Sequence, residues 1–472
     1  MRSTRSAAHR PALLGAIALL GMGRVGHGMA QSPLDAQITA QMAAQHLSGL
    51  AAVLVKGDSI VWRGNYGLAN RQAGTPVTDS TIFMLASVSK TVTATAIMQL
   101  VERGALNLDD PVNAHLPFTV ENPAYPDSLI TVRQLVTHTA SIQDNWSLMP
   151  YHNGDSPIPL GDYLFDYLDP AGDDYDPDDN YGTAAPGTAY AYSNIGIALC
   201  GLLVETVTGI PFNTYCHDSI FVPLCMDRTG WLLAEVDAAS VAHPYAWDAG
   251  TYVDEGLYGY SDYPAGQLRT TALALARFMA MHMDHGWFDG LQVLDTATVA
   301  LMQSPVVPAV DPTQGIVLYS FTDVYGTWWG HGGGDLGVTT AMYFDPVADI
   351  GLVILTNGDG DLDPVRAAIL NALGSLQSAP LAAIACHIAL PTATEEVPIP
   401  RALLLHPNPA TDRIALTGCD PNDKLRICDM TGRPVLMQPC TGMVDVRGLA
   451  PGTYLVQAGK GAAQRVARLV KQ

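Results

Sequence analysis

Apolar residues recur every fourth position through FMLASVSKTVTATAIMQLVER (Phe83 to Arg103), at Val88, Val92, Ala96 and Leu100 with Ile97 and Val101 beside them. That period predicts a buried helix, and Gly104 suits its left-handed C-terminal cap. Leu34, Ile38, Met42 and His46 repeat the same spacing and predict a helix over Pro33 to His46. Between the two, LAAVLVKGDSIVWRGNYGLAN (Leu50 to Asn70) holds two β-type runs joined at Lys56-Gly57-Asp58-Ser59, which reads as a hairpin. TVRQLVTHTAS (Thr131 to Ser141) predicts a short helix capped by Thr131. A turn from Pro186 leads into a helix from about Asn194 to Thr206, with Tyr192-Ser193-Asn194 at its entrance. Gly266 to Met283 predicts another apolar helix, started by Thr270 or Thr271, with Arg277 and His282 expected at its surface. From Gly315 to Asn357 the runs GIVLYSF, WWGHGGGDLG, TTAMYFDP and DIGLVILTN read as strands. An antiparallel sheet with helices packed on it, joined by the early hairpin, gives an α+β class.

Elsewhere the periodicity lapses. Gln143 to Gly187 is rich in Asp, Tyr, Pro and Gly, with a short helix expected only at Leu160 to Leu168, and reads as a surface lid or insertion. Its acidic run DDYDPDDN (Asp173 to Asn180) lacks the sixth-place glycine and closing glutamate of a calcium loop, so it reads as a solvated loop. Residues 379–400 change composition and form a linker; residues 401–472 break into short strands separated by Gly, Pro and Asn turns, as a small β-sandwich does. The first 30 residues combine Arg2, Arg5 and Arg10 with an apolar run from Ala12 to Met22 and small residues Gly28 and Ala30, a secretory signal pattern. That run ends at Arg24, too short to span a bilayer, and no later segment is long enough. The domain plan is therefore a signal peptide at 1–30, a main domain at 31–378, the linker, and the terminal sandwich.

Charge narrows the partners. With 45 acidic against 24 basic residues and a net charge of -21, the chain repels nucleic acid and anionic membrane surfaces. Its 7 cysteines are an odd number, so at least one is unpaired in an exported chain where disulfides are permitted; Cys419, Cys428 and Cys440 are open to pairing that spacing does not assign. No CxxC pair or zinc spacing occurs, and neither a structural metal nor a cofactor is expected.

Candidate chemistry begins with Ser87 and Lys90. Three residues apart on a helix, they share a face and can share a proton, which would activate an otherwise weak nucleophile. Alone, the pair is equally a capping serine and a surface lysine, Tyr192-Ser193-Asn194 a helix entrance, and His331-Gly332-Gly333 a turn. In this order, with these flanks, the three motifs resemble the serine β-lactamase and penicillin-binding-protein superfamily, in particular its class C β-lactamase-like group of esterases, D-aminopeptidases and D-alanyl-D-alanine carboxypeptidases. The resemblance covers roughly Ala36 to Leu376, including TVRQLVTHTAS, PGTAYAYSNIGIALCGLLVE, TALALARFM and HGGGDLGVTTAMYFDP. It implies a β-lactamase/transpeptidase-like fold, an antiparallel sheet flanked by helices with an all-helical subdomain.

The resemblance also implies roles. Ser87 would be the nucleophile, Lys90 the acceptor of its proton, and Tyr192 the group passing a proton to the leaving group. Asn194 would hold the substrate carbonyl or the Lys90 amine, and the backbone N–H groups of Ser87 and Gly334 would form an oxyanion hole. His331, Gly333 and Gly334 would flank the substrate. His138 reads as a buried structural histidine, and Trp328 and Trp329 as pocket candidates of which one belongs to the core. Family members commonly carry lysine where His331 stands; a residue titrating near neutrality shifts the expectation from β-lactams toward esters, amides and peptides. Ala140 and Ser141 likewise replace the commoner THTSG ending. At the other end, PNPATDRI, Asp429, Gly432 and DVRGLAPGTYLV resemble a type A C-terminal sorting domain of the type IX secretion system, which would make that machinery a partner. A carbohydrate-binding sandwich is the alternative, without the row of exposed aromatics it would use. The expectation is a secreted or cell-surface serine hydrolase acting through an acyl-enzyme on a small-molecule or peptide substrate. A non-hydrolytic penicillin-binding-type receptor is the alternative.

Overall fold

The computed structural model describes residues 32–376, 382–383, 404–406, 411–417, 424–429, 433–440, 443–458 and 465–471. The signal-peptide reading and most of the linker lie outside these residues.

The early hairpin and the late strands form one sheet. In chain order its strands are β1 (Gly49–Lys56), β2 (Ser59–Asn70), β3 (Tyr319–Asp323), β4 (Gly326–Asp335), β5 (Val338–Asp345) and β6 (Ile350–Thr356). They lie in the order β3-β4-β5-β6-β1-β2, all antiparallel, with two short strands added beside β2 to make eight. The register pairs Leu50 with Thr356 and Val53 with Val353, so the first and last parts of the domain meet at its centre. β1 is buried on both faces, which explains its unbroken apolar run. Leu50, Ala52 and Leu54 face one core with Ile38, Ile354 and Ile369, while Ala51, Val53 and Val55 face the other with Met279, Met342 and Leu355.

Helices α1 (Pro33–Ala44) and the last of the main domain (Asp363–Leu376) cover the first face. α1 opens with a Ser32–Asp35 capping box, and it stops two residues short of the expected His46. The second face carries the helices that build the site. α2 (Ser89–Glu102) follows a 3-10 turn at Ala86–Val88, so Ser87 lies in that turn just before the α-helix. Every residue from Ser89 to Leu100 is buried, and Thr91, Thr93 and Thr95 satisfy their hydroxyls on the carbonyls of Val88, Pro264 and Thr91. α3 (Val132–Val136) has the Thr131 cap, α4 is Leu160–Leu168, and α5 (Asn194–Thr208) ends at Gly209 with φ +71.

Two expectations are corrected. α6 (Ala272–Met283), capped by Thr271, packs between the sheet and α2, so His282 is fully buried against Phe278. Arg277 is partly buried and donates to the Cys225 carbonyl. A helix apolar on every side has no face left for them to occupy. The 143–187 segment is anchored rather than draped: Tyr163, Leu164, Tyr167 and Tyr181 enter the core, and the Asn180 amide bonds the Tyr167 and Asp174 carbonyls.

The C-terminal strands form two sheets. One contains Leu404–His406, Arg413–Thr417 and Met443–Asp445; the other contains Pro434–Pro439, Lys424–Asp429, Gly452–Ala458 and Arg465–Lys471. Ile414, Val444, Ile427, Val456 and Leu469 join them in one core, as expected of a β-sandwich. Cys225 and Cys440 each take part in a disulfide, whereas Cys428, Cys200 and Cys216 are free and buried.

Candidate active site

Lys90 sits at the base of the site with no exposed surface. Its Nζ lies 3.0 Å from Ser87 Oγ, 2.6 Å from Asn194 Oδ1 and 2.6 Å from the Ala265 carbonyl oxygen. The two latter atoms can only accept. A neutral amine has two N–H groups and one lone pair, so donation to Asn194 and Ala265 aims the lone pair at the Ser87 hydroxyl. Burial pulls the Lys90 pKa down to about 8, opposed by the charges of Asp144, Asp262 and Asp335.

Asp144 fixes this geometry, and the sequence reading passed over it. Its carboxylate accepts from the Asn194 backbone N–H at 2.9 Å, from Asn194 Nδ2 at 2.8 Å and from Ser193 Oγ at 3.0 Å. Because a carboxylate only accepts, Asn194 must turn its amide nitrogen to Asp144 and its oxygen to Lys90. Asp144 also occupies the N-terminus of α5, where negative charge is favoured. In sequence it is one acid in a loop dense with acids, and nothing local marks it.

Tyr192 completes the group from the entrance of α5. Its ring lies 4.9 Å from Lys90 Nζ, and its phenol is near enough to Ser87 for that side chain to influence its pKa. Although 38% of the residue is exposed, the phenol end is enclosed, and burial raises its pKa above that of a free tyrosine while Ser87 opposes the rise. His138 stacks on Tyr192 with ring centroids 4.4 Å apart, and its Nδ1 accepts from the Ser193 backbone N–H at 3.2 Å. Burial, with Lys90 and His331 nearby, holds His138 well below the ordinary histidine pKa, hence neutral.

Strand β4 supplies the opposite wall. The Gly332 N–H points away from β5 to the Tyr319 hydroxyl at 3.2 Å, so the Gly334 N–H, two residues on, points to the same open edge beside Ser87. At Gly333 a Cβ would meet Leu85 O at 2.4 Å and Thr340 Oγ1 at 2.3 Å, so glycine lets the strand close on the turn that carries Ser87. The pocket has a volume of about 290 Å3 and is lined in part by Ser87, Asn194, Gly334, Tyr151, Tyr260 and Asp262. Gly333, His331, Trp328 and Trp329 do not line it. His331 is buried, with Nδ1 turned to the Gly332 carbonyl, and burial plus the Lys90 charge lower its pKa to about 4, so it is neutral. Among the described residues no group of three or more His, Cys, Asp or Glu is placed to hold a metal.

The fold and the buried Ser-Lys pair define a protein of the β-lactamase-like serine hydrolase type. The Beta-lactamase family profile matches residues 34–375, and the chain belongs to that family; a Secretion system C-terminal sorting domain matches residues 404–472. Penicillin-binding protein 4 of Amycolatopsis lactamdurans is 30% identical over 66% of this chain and 81% of its own length. Esterase EstB of Burkholderia gladioli is 32% identical over 45% of this chain and 54% of its own. The crystal structure of a penicillin binding protein from Bacillus halodurans superposes with a TM-score of 0.58 at 26% identity, covering 73% of this chain and 100% of that one. The protein is a serine hydrolase of the β-lactamase family, carrying a type IX sorting domain for export to the cell surface or beyond.

Proposed function

We propose that the protein hydrolyses an ester or amide through an acyl-enzyme on Ser87. The observation that carries this reading is the fully buried Lys90 amine, 3.0 Å from Ser87 Oγ and with its pKa lowered to about 8. Ser87 Oγ attacks the substrate carbonyl carbon while its proton passes to the neutral Lys90 amine. The N–H groups of Ser87 and Gly334 hold the oxyanion, and such donors are worth about 10²–10³-fold in rate each. Collapse breaks the carbonyl–leaving-group bond, and the protonated phenol of Tyr192 delivers a proton to the departing oxygen or nitrogen. A phenol raised in pKa suits that acid role, whereas the lowered amine suits the base role. Water then gives a proton to the Tyr192 phenolate as it adds to the acyl carbon, and the bond to Ser87 Oγ breaks as Lys90 returns its proton to that oxygen, releasing the free acid and restoring all three groups. The neutral, buried His331 offers no fixed cation for a substrate carboxylate, which favours ester or amide substrates over β-lactams.

The chain is further proposed to be exported with its first 30 residues removed, residues 31–378 acting as the hydrolase and 401–472 as the sorting signal. Fluorophosphonate labelling with mass mapping tests the nucleophile, and an adduct is expected on Ser87. Ser87→Ala should keep the fold and lose turnover by at least about 10³-fold. Near-normal turnover in that variant would place the nucleophile elsewhere.

A further inference from the structure

The charged residues lining the Ser87 pocket are of one sign. Asp262 and Asp335 line it, and no Lys, Arg or His does. Asp262 is 4% exposed, and its carboxylate accepts from its own backbone amide and from no other described residue. Neither acid comes within ion-pair distance of Lys90. Asp335 is better supported, with Oδ1 accepting from the Tyr151 hydroxyl at 2.7 Å and the Leu336 N–H at 2.8 Å. Trp146, Tyr151 and Tyr260 add aromatic surface to the same pocket.

A buried acid without a partner is costly unless a ligand supplies the partner. A carboxylate ligand would meet repulsion from both acids. An ammonium would meet two acceptors and aromatic faces that attract cations. We propose that the pocket selects substrates with an ammonium group near the scissile bond, such as aminoacyl esters, amides or peptides with a free amino end, with Asp262 as principal anchor and Asp335 as the second. The inference rests on the hydrolase reading above and deepens it. The volume of about 290 Å3 accommodates one small residue beside the scissile bond.

The test compares alanine p-nitroanilide, in both hands, with its N-acetyl and N-succinyl forms. Free-amine substrate should exceed the N-acetyl form in kcat/KM by on the order of tenfold or more, with the succinyl form poorest. Asp262→Asn should shrink that ratio, mainly through KM, and Asp335→Asn should do so less. Equal or faster turnover of the N-acetyl form by the wild-type protein overturns the proposal, and that comparison needs no variant to fold. Should no anilide be cleaved while Ser87 still takes the fluorophosphonate, titration of Ser87→Ala with alaninamide and N-acetylalaninamide decides. Tighter binding of the free amine supports the proposal, and equal or weaker binding overturns it. Failure of Ser87 to label at all would instead sink the hydrolase reading, and this one with it.

Discussion

Lys90 shows how much a single side chain depends on its surroundings. With an ordinary lysine pKa it would be a cation and no base at neutral pH; full burial brings it to about 8. The kcat/KM of a neutral ester should therefore rise with pH along a limb centred near 8, as the amine loses its proton. Asp144 is the largest influence favouring the charged amine. Asp144→Asn keeps the shape but removes that charge, so Lys90 should lose its proton more easily and the limb should move to lower pH. It should also cost on the order of 10-fold or more in kcat, because an asparagine no longer dictates which way Asn194 faces. A pH profile of kcat/KM separates this from plain destabilisation, which would lower the curve without moving it. Ser87 and Lys90 were legible as a pair from their spacing. Asp144 was not, because its importance lies in which atoms it faces across 50 residues.

At the level of elements, the turn carrying Ser87 is held by the sheet as well as by its own helix. The Thr340 hydroxyl donates to the Leu85 carbonyl at 2.6 Å, and the Leu85 N–H bonds the Leu268 carbonyl. Two neighbouring glycines should respond differently to a methyl group. Gly333→Ala would strike the Leu85 carbonyl and the Thr340 hydroxyl, so it should lower both Tm and kcat, with a loss of about 1–3 kcal/mol of stability. Gly334→Ala meets nothing within 4 Å and should leave Tm within about 0.5 kcal/mol equivalent, any effect appearing in KM. Thermal melts and steady-state kinetics on the pair check this. Strong periods made α2, α5 and the β1–β2 hairpin readable. His282 was misread because a polar residue in an apolar helix looks like a solvent marker, yet here the helix is enclosed on every side.

Across the whole molecule, the acidic pocket sets a cost in stability. Burial raises the Asp262 pKa from 3.8 to about 7, so the folded protein holds a proton there that the unfolded chain releases between those values. Its stabilising effect is full below about pH 4 and is lost as pH rises toward 7. Asp262→Asn should therefore raise Tm at pH 8, with the gain shrinking toward pH 4.5. No increase at pH 8 would show that the carboxylate has a compensating partner. Removing residues 401–472 should leave kcat on a small ester within about twofold while abolishing surface delivery, measured by kinetics and cell fractionation. The motifs, the sheet and the terminal sandwich were legible because they rest on local spacing. The pocket wall was not, since Trp146, Tyr151, Tyr260 and Asp262 come from segments without periodicity.

Those segments are themselves joined. His152 pairs with Gly259 and Asn153 with Tyr258, a two-stranded clasp between the 146–153 and 258–266 stretches. The turn that carries Ser87 is braced through Leu85 to β5, while the second stretch also carries the Ala265 carbonyl that accepts from Lys90. Specificity could thus be rewritten by exchanging residues 146–153 and 258–262 as one cassette that keeps the Ala265 carbonyl on Lys90, whereas replacing either loop alone would sever the clasp.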